Sequence, residues 1–315
     1  MLLGEANQYL CSNFLMAAIV EVNHLSKSFG ELHAVNDLSF SVEEGDVYGF
    51  LGQNGAGKST SMRMLLTLIA PTSGSIKIFG KELQPNRNEI LMQIGAIIEK
   101  PDLYKYLSAY DNLELFARLS GIKPTKAQLM EQLEKVGIAE RAKSKIKTFS
   151  QGMKQRLGIA IALVHNPRLI ILDEPTNGLD PQGIAEMRNI IISLSKEHGK
   201  TVIVSSHLLN EIEQMATKIL IIDKGKKVVE GSAAAMFDPA KTLVSLQTAN
   251  ENVLAKLNGT LYANCYQKSI GDEMIFEMHR NDIPAFNATL VEKGVAVLSI
   301  SPRHSLEDYF LRLTA

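Results

Sequence analysis

Gly52-Gln53-Asn54-Gly55-Ala56-Gly57-Lys58-Ser59 satisfies the pattern G-x-x-x-x-G-K-[ST] at every position. Glycines at these places let the backbone wrap tightly enough to aim several N–H groups at a phosphate. A helix opening directly after the loop adds its positive N-terminal dipole. In this pattern Lys58 is expected to reach the β- and γ-phosphates of a nucleotide, and Ser59 to ligate Mg²⁺. A chance glycine-rich turn lacks the flanking elements that the mechanism needs, and both are present here. Val47-Tyr48-Gly49-Phe50-Leu51 reads as a strand running into the loop, and Ser59 to Leu68 as a helix leaving it.

Before the loop, Ile19 to Val22 and Asp37 to Val42 read as strands, the latter alternating like a half-buried antiparallel strand through Phe40 and Val42. Helical patterns follow at Asp111 to Leu119, Lys126 to Val136 and Gln151 to Val164, with Pro101 and Pro124 as punctuation. Leu169-Ile170-Ile171-Leu172 is a continuous apolar run, as expected of a strand buried on both faces of a parallel sheet. Helix Gln182 to Lys196, strand Thr201 to Ser205, helix Leu208 to Met215 and strand Lys218 to Ile222 complete an alternation that implies an α/β domain with a mainly parallel sheet.

The buried run ends in Asp173 and Glu174. At a strand tip, Asp173 can hold Mg²⁺ through its water shell. Glu174, one residue on, can point at the γ-phosphate and accept a proton from attacking water. The bland alternative is a pair of acids capping the turn before Pro175.

Together these motifs resemble the ABC ATPases over residues 18 to 235. Thr148-Phe149-Ser150-Gln151-Gly152-Met153-Lys154-Gln155-Arg156 stands at the position of that family's signature, Asn177-Gly178-Leu179-Asp180 looks like its D-loop, and His207 looks like its switch histidine. The resemblance implies a P-loop NTPase core with a helical subdomain inserted near residues 100–165. It implies ATP held by Gly52, Asn54, Gly55, Gly57, Lys58, Ser59 and Thr60. Phe29 would stack on adenine, with core packing as the alternative. Ser150, Gly152 and Asp180 would close over the ATP of a second copy, giving a head-to-tail sandwich dimer. Serine, closely approaching backbone and helix N-terminus together make a phosphate-binding surface. Catalysis would fall to Lys58, Glu174 and His207, with Mg²⁺ on Ser59, Asp173 and Glu99.

Two positions depart from the family pattern. The usual signature is LSGGQ, whereas this chain has Phe149-Ser150-Gln151-Gly152-Met153, keeping the serine and second glycine. Glu99, in Ile97-Ile98-Glu99-Lys100-Pro101, stands where a glutamine is usual. A carboxylate there binds Mg²⁺ more strongly but adds negative charge near the γ-phosphate; a plain surface acid is the alternative. Both variants resemble the exporters of bacitracin and lantibiotic-type peptides, which implies a motor for peptide-antibiotic or drug export.

The 315 residues are 45% hydrophobic and 21% charged with a formal net charge of -1, ordinary for a chain that buries a sizeable core. No global basic field points to nucleic acid. No segment is long and apolar enough to span a bilayer, so a membrane role requires an integral-membrane permease partner, with this chain on the cytoplasmic face. A soluble ABC protein acting on ribosomes or nucleic acid is the alternative. The single ATP cassette, and the 91 positions from Ser59 to Ser150, leave no room for a second cassette or a long coiled coil. A purely regulatory nucleotide-binding module is disfavoured by the intact Glu174.

Residues 1–17 read as a tail without the basic residues of a secretory signal, with Met16 an alternative start. Cys11 and Cys265 lack metal or redox spacing and read as free thiols. Lys143, Lys145 and Lys147 read as a solvated face. Residues 236–315 change character: strand Thr242 to Gln247, helix Asn252 to Leu257, strands Leu261 to Gln267 and Met274 to Met278, helix Ile283 to Lys293 and strand Val295 to Ile300. That β-α-β-β-α-β order suggests a small α+β, ferredoxin-like accessory domain. Leu306, Tyr309, Phe310 and Leu313 share one helical face, suited to docking on the chain's own core or to a partner.

Overall fold

The computed structural model describes residues 18–236, 242–249 and 252–303. The chain opens with two long antiparallel strands, β1 (Ala18–Phe29) and β2 (Leu32–Glu43). The short strand β3 (Val47–Leu51) then feeds α1 (Lys58–Leu65). Next come β4 (Ser73–Ile78), β5 (Lys81–Glu82), α2 (Arg87–Leu91) and β6 (Ile94–Ile97). Three α-helices lie between β6 and its sheet partner: α3 (Ala109–Leu119), α4 (Lys126–Lys135) and α5 (Gln151–Leu163). Capping boxes start α3 at Ser108 and α4 at Thr125, each satisfying two orphan groups at the helix entry.

The chain re-enters the sheet with β7 (Leu169–Leu172), followed by α6 (Pro181–Lys196), β8 (Thr201–Ser206), α7 (Leu209–Glu213), β9 (Lys218–Asp223), β10 (Lys226–Ser232) and α8 (Ala233–Met236). The central sheet runs β10-β9-β3-β8-β7-β6. Its pairs are parallel except the antiparallel edge β10. Both faces of β7 are covered, because Ile170 and Leu172 join one apolar cluster and Leu169 and Ile171 join another. The first cluster takes in α3, α4, α5 and α6. The second takes in α1 and strands β1, β2 and β4 of the sheet β2-β1-β4-β5. The inserted helices are thus built into one side of the sheet's core.

The remaining described elements are β11 (Thr242–Thr248), α9 (Val253–Leu257), β12 (Tyr266–Ile270), β13 (Glu273–Met278), α10 (Ile283–Glu292) and β14 (Val297–Arg303). Their antiparallel sheet runs β12-β13-β11-β14. Its third apolar cluster is drawn wholly from this segment and includes Val244, Leu246, Phe276, Phe286 and Leu290.

Several elements differ from the sequence reading. The helix after the loop begins at Lys58 and stops at Leu65 rather than running from Ser59 to Leu68, because Thr67 adopts φ 55 and breaks the helical path. The strand expected over Leu261 to Gln267 is a 3-10 turn over Leu261–Cys265, followed by β12. Tyr262 and Cys265 both face the third cluster, a spacing of three that suits the tighter helix. Helix Leu208 to Met215 is only the five residues of α7, and the last strand is shifted to Val297–Arg303. Strands β4, β5, β6 and β10 and helix α2 had no strong periodic signal.

The amphipathic face Leu306, Tyr309, Phe310 and Leu313, the N-terminal tail with Met16, and Cys11 lie outside the described residues. Cys265 is a free thiol. Lys143, Lys145 and Lys147 are exposed. Among the described residues no helix is long and apolar enough to cross a membrane.

Candidate active site

Sheet and loop converge on a cleft of about 780 Å³ lined by Phe29, the loop residues Gln53 to Gly55 and Gly57 to Thr60, and by Glu99, Gln155, Asp173, Glu174 and Asn177. Gly57 is the turn's steric requirement. Its φ is 105°, and a Cβ there would lie 2.6 Å from the Ala34 carbonyl oxygen. Lys58, only 5% exposed, donates from Nζ to the carbonyl oxygens of Gly52 at 2.6 Å and Gln53 at 3.1 Å. The same ammonium lies 3.1 Å from Glu174 Oε1. It is therefore held at the mouth of the loop by three oxygens, with its charge matched by a carboxylate.

The tips of β7 and β8 place the acids. Ser205 Oγ donates to Asp173 Oδ1 at 2.6 Å and accepts the Glu174 backbone N–H at 2.8 Å. Glu174 adopts φ 50, a left-handed conformation that a glutamate holds only when its surroundings impose it. Its Oε2 lies 2.6 Å from His207 Nδ1. A carboxylate can only accept, so Nδ1 is the donor in this contact. Lys58, Glu174 and His207 thus form one continuous chain beside the phosphate loop, joined by an ion pair and a hydrogen bond.

The residues fit a magnesium nucleotide on three grounds. The glycine-rich loop turns tightly at Gly57 against the Ala34 carbonyl, a bend that a Cβ would block. The hydroxyl of Ser59 and the carboxylate of Asp173 form the oxygen-only donor set that Mg²⁺ favours. Gln155 Oε1 is buried, without a hydrogen-bond partner, on a residue lining the cleft. Phe29 is half exposed at the cleft, with Lys27 Nζ 5.0 Å from its ring centroid, so the ring is available for stacking rather than packed in the core. Glu99 also lines the cleft, but its carboxylate pairs with Arg63 of α1.

Ser150, Gly152 and Asp180 lie elsewhere. They line a second cleft of about 410 Å³ together with Arg156, Leu179 and Glu186, and it shares no residue with the first. Ser150 caps α5 by accepting the Met153 N–H, and Asp180 caps α6 by accepting the Gly183 N–H. Arg156 of α5 pairs with Glu186 of α6 across this cleft. The supporting partners Ser205, Thr176, Glu211 and Arg63 escaped the sequence reading. Their only signal was polarity beside a motif, as in Ser205-Ser206 before His207.

A family model described as ABC transporter matches residues 35–177. The bacitracin transport ATP-binding protein BcrA of Bacillus licheniformis is 43% identical over 301 residues, spanning 95% of this chain and 98% of that protein. The lantibiotic transport ATP-binding protein SrtF of Streptococcus pyogenes is 46% identical over 212 residues, 67% of this chain and 90% of that one. Among solved structures, the ATP-binding cassette MJ0796, in a dimeric post-hydrolysis state bound to ADP and Pi, matches with a TM-score of 0.62 at 26% identity. That match covers 68% of this chain and 98% of that one.

Proposed function

This chain belongs to the ATP-binding subunits of ABC transporters, and on that premise we propose that it powers export of a peptide antibiotic through a separate integral-membrane permease. It is an ATPase subunit. The observation that carries the export reading is the likeness to a bacitracin transport protein along 95% of the chain, beyond the ATP-binding core. A division near residue 235 into ATPase and accessory domains accords with it.

In this reading two copies sandwich two nucleotides at the cytoplasmic face of the membrane. The loop from Gly52 to Thr60 wraps the phosphates of ATP, Phe29 stacks on the base, and Ser59, Asp173 and Glu99 hold Mg²⁺. Ser150, Gly152 and Asp180 close over the nucleotide of the other copy. Their separation from the first cleft supports this, because a chain folding its own signature onto its own loop would merge the two clefts. Bound Mg²⁺ supplies charge neutralisation at the phosphates. Glu174 accepts the proton of the attacking water, His207 steadies that carboxylate, and Lys58 offsets negative charge.

Glu174→Gln is expected to lower turnover about 10²- to 10⁴-fold while ATP binding and an ATP-bound dimer persist; wild-type turnover would remove Glu174 as the base. Co-expression with the permease tests the wider reading. Copurification with an integral-membrane protein and increased resistance to a bacitracin-type peptide support it. Recovery with ribosomes or nucleic acid instead would sink it.

A further inference from the structure

We infer that Glu211 is a positioning residue for hydrolysis, a buried carboxylate that braces the Glu174 and His207 loops against each other. It does not line the phosphate cleft, and it acts through its neighbours. The inference rests on the hydrolytic roles proposed for Glu174 and His207.

Glu211 lies on α7, and is only 6% exposed. Its Oε2 accepts two hydrogen bonds, from Thr176 Oγ1 at 2.7 Å and from Ser206 Oγ at 2.9 Å. Thr176 is two residues beyond Glu174, and Ser206 directly precedes His207. Both donors are themselves buried. Ser206 Oγ also accepts the Leu208 N–H at 3.0 Å, closing the turn that carries His207. One oxygen atom therefore joins segments about 30 residues apart in the chain, immediately behind the 2.6 Å contact between Glu174 and His207.

The strand geometry explains why two serines are adjacent. Consecutive residues at the end of β8 send their side chains to opposite faces. Ser205 serves Asp173, and Ser206 serves Glu211. The depth of α7 is set by close approach to β3. A Cβ on Gly49 would lie 2.5 Å from Ile212 Cγ2, so α7 can seat against the strand only because that residue is glycine. The brace is thus anchored to the central sheet and has little freedom to drift.

Burial of a carboxylate is unfavourable unless its hydrogen-bonding capacity is met. Two buried hydroxyls donate to Oε2 here, one from the turn after Glu174 and one from the strand end that precedes His207. Losing the brace should leave the phosphate cleft intact but let Glu174 and His207 slip relative to each other. Displacements of about 1 Å at reacting groups lower rates about 10²-fold.

The test is steady-state ATP hydrolysis by the full chain, with binding of a fluorescent ATP analogue measured in parallel. Glu211→Ala is expected to lower kcat about 10- to 100-fold, with KM for ATP and analogue binding within about threefold of wild type. Glu211→Gln retains an oxygen able to accept both hydroxyls and should keep kcat within about threefold. A double mutant with His207→Ala should be no slower than His207→Ala alone, because the two act as a unit. Should Glu211→Ala fail to fold, Thr176→Val with Ser206→Ala removes both donors and should reproduce the loss in kcat.

A wild-type kcat in Glu211→Ala would overturn the brace. So would a parallel loss of analogue binding and turnover that Gln fails to rescue, since that marks a purely structural role. Glu174→Gln distinguishes loss of the brace from loss of the hydrolytic role. Lost turnover there, with a wild-type rate in Glu211→Ala, overturns the brace alone. Wild-type turnover in Glu174→Gln overturns the hydrolytic reading on which the brace depends.

Discussion

Ser205→Ala removes a hydroxyl that is fully buried and satisfies two groups at once. Its donor side serves Asp173 Oδ1 at 2.6 Å, and its acceptor side serves the Glu174 N–H at 2.8 Å. Asp173 is 1% exposed, so water cannot readily replace the lost donor. A hydrogen bond to a charged group contributes about 1.5–3 kcal/mol, and an orphaned buried N–H costs about 1–3 kcal/mol. The N–H in question belongs to a residue already at φ 50, so the strained turn loses an anchor as well. Together the variant should lose about 3–5 kcal/mol. At about 2–4 °C per kcal/mol for a domain of this size, the thermal midpoint should fall by about 6–20 °C. Differential scanning calorimetry of the full chain reads this directly. ATP turnover should fall as well, about 10²-fold, because both acids shift from their places. Ser205→Thr keeps the hydroxyl and should recover part of both losses. A midpoint within about 2 °C of wild type, with unchanged turnover, would show that this hydroxyl does not set the acidic turn.

Gly57→Ala places a Cβ 2.6 Å from the Ala34 carbonyl oxygen at φ 105, so it should cost about 1–3 kcal/mol in strain and weaken ATP binding, measured by analogue titration. Glu99→Gln should break the pair with Arg63 and raise the Mg²⁺ concentration giving half-maximal turnover; an unchanged Mg²⁺ titration would make Glu99 a surface acid. Burial holds the His165 imidazole below its ordinary pKa of 6.5, while its Nε2 donates to the Ile94 carbonyl oxygen at 3.1 Å. The unfolded chain then binds a proton that the folded chain resists, so stability should fall as pH drops through 6.5 toward the lower folded value. His165→Asn should flatten that slope in thermal midpoints measured from pH 7.5 to 5.

The phosphate loop and the acidic strand tip were legible because each joins a residue pattern to a change of structural period. Leu169 to Leu172 is apolar at every position, and all four residues are buried. Weak elements were missed for the opposite reason. β6 is four residues long, and α2 is five residues carrying Arg87, Asn88 and Glu89 with only Ile90 buried, too short to establish a period. The turn at Leu261–Cys265 misled because its apolar residues alternate poorly and Leu261 itself is 86% exposed. Supporting residues were invisible for another reason. Ser205, Thr176 and Glu211 gain their meaning from partners about 30 residues away, and no local pattern records such a pairing. Arg63 likewise meets Glu99 only after the chain has returned through β4 to β6.

The two clefts share no lining residue, yet only short pieces of backbone separate them. Gln155 of α5 lines the phosphate cleft, while Ser150 and Gly152 of the same helix line the other. Five residues of helix span about 7.5 Å at 1.5 Å per residue. The loop after Glu174 repeats the arrangement, with Asn177 in the first cleft and Gly178 to Asp180 in the second. Arg156 and Glu186 then tie α5 to α6, so the two connections are themselves linked. A rigid helix cannot bend to accommodate a new contact at Gln155, whereas it can tilt as a body. Any tilt that satisfies the orphaned Gln155 Oε1 must also move Ser150 and Gly152. In the proposed sandwich those residues face the nucleotide of the other copy. Contact with a chain's own nucleotide would then set the grip on its partner's, and α5 with the 177–180 loop are the elements through which that coupling has to pass.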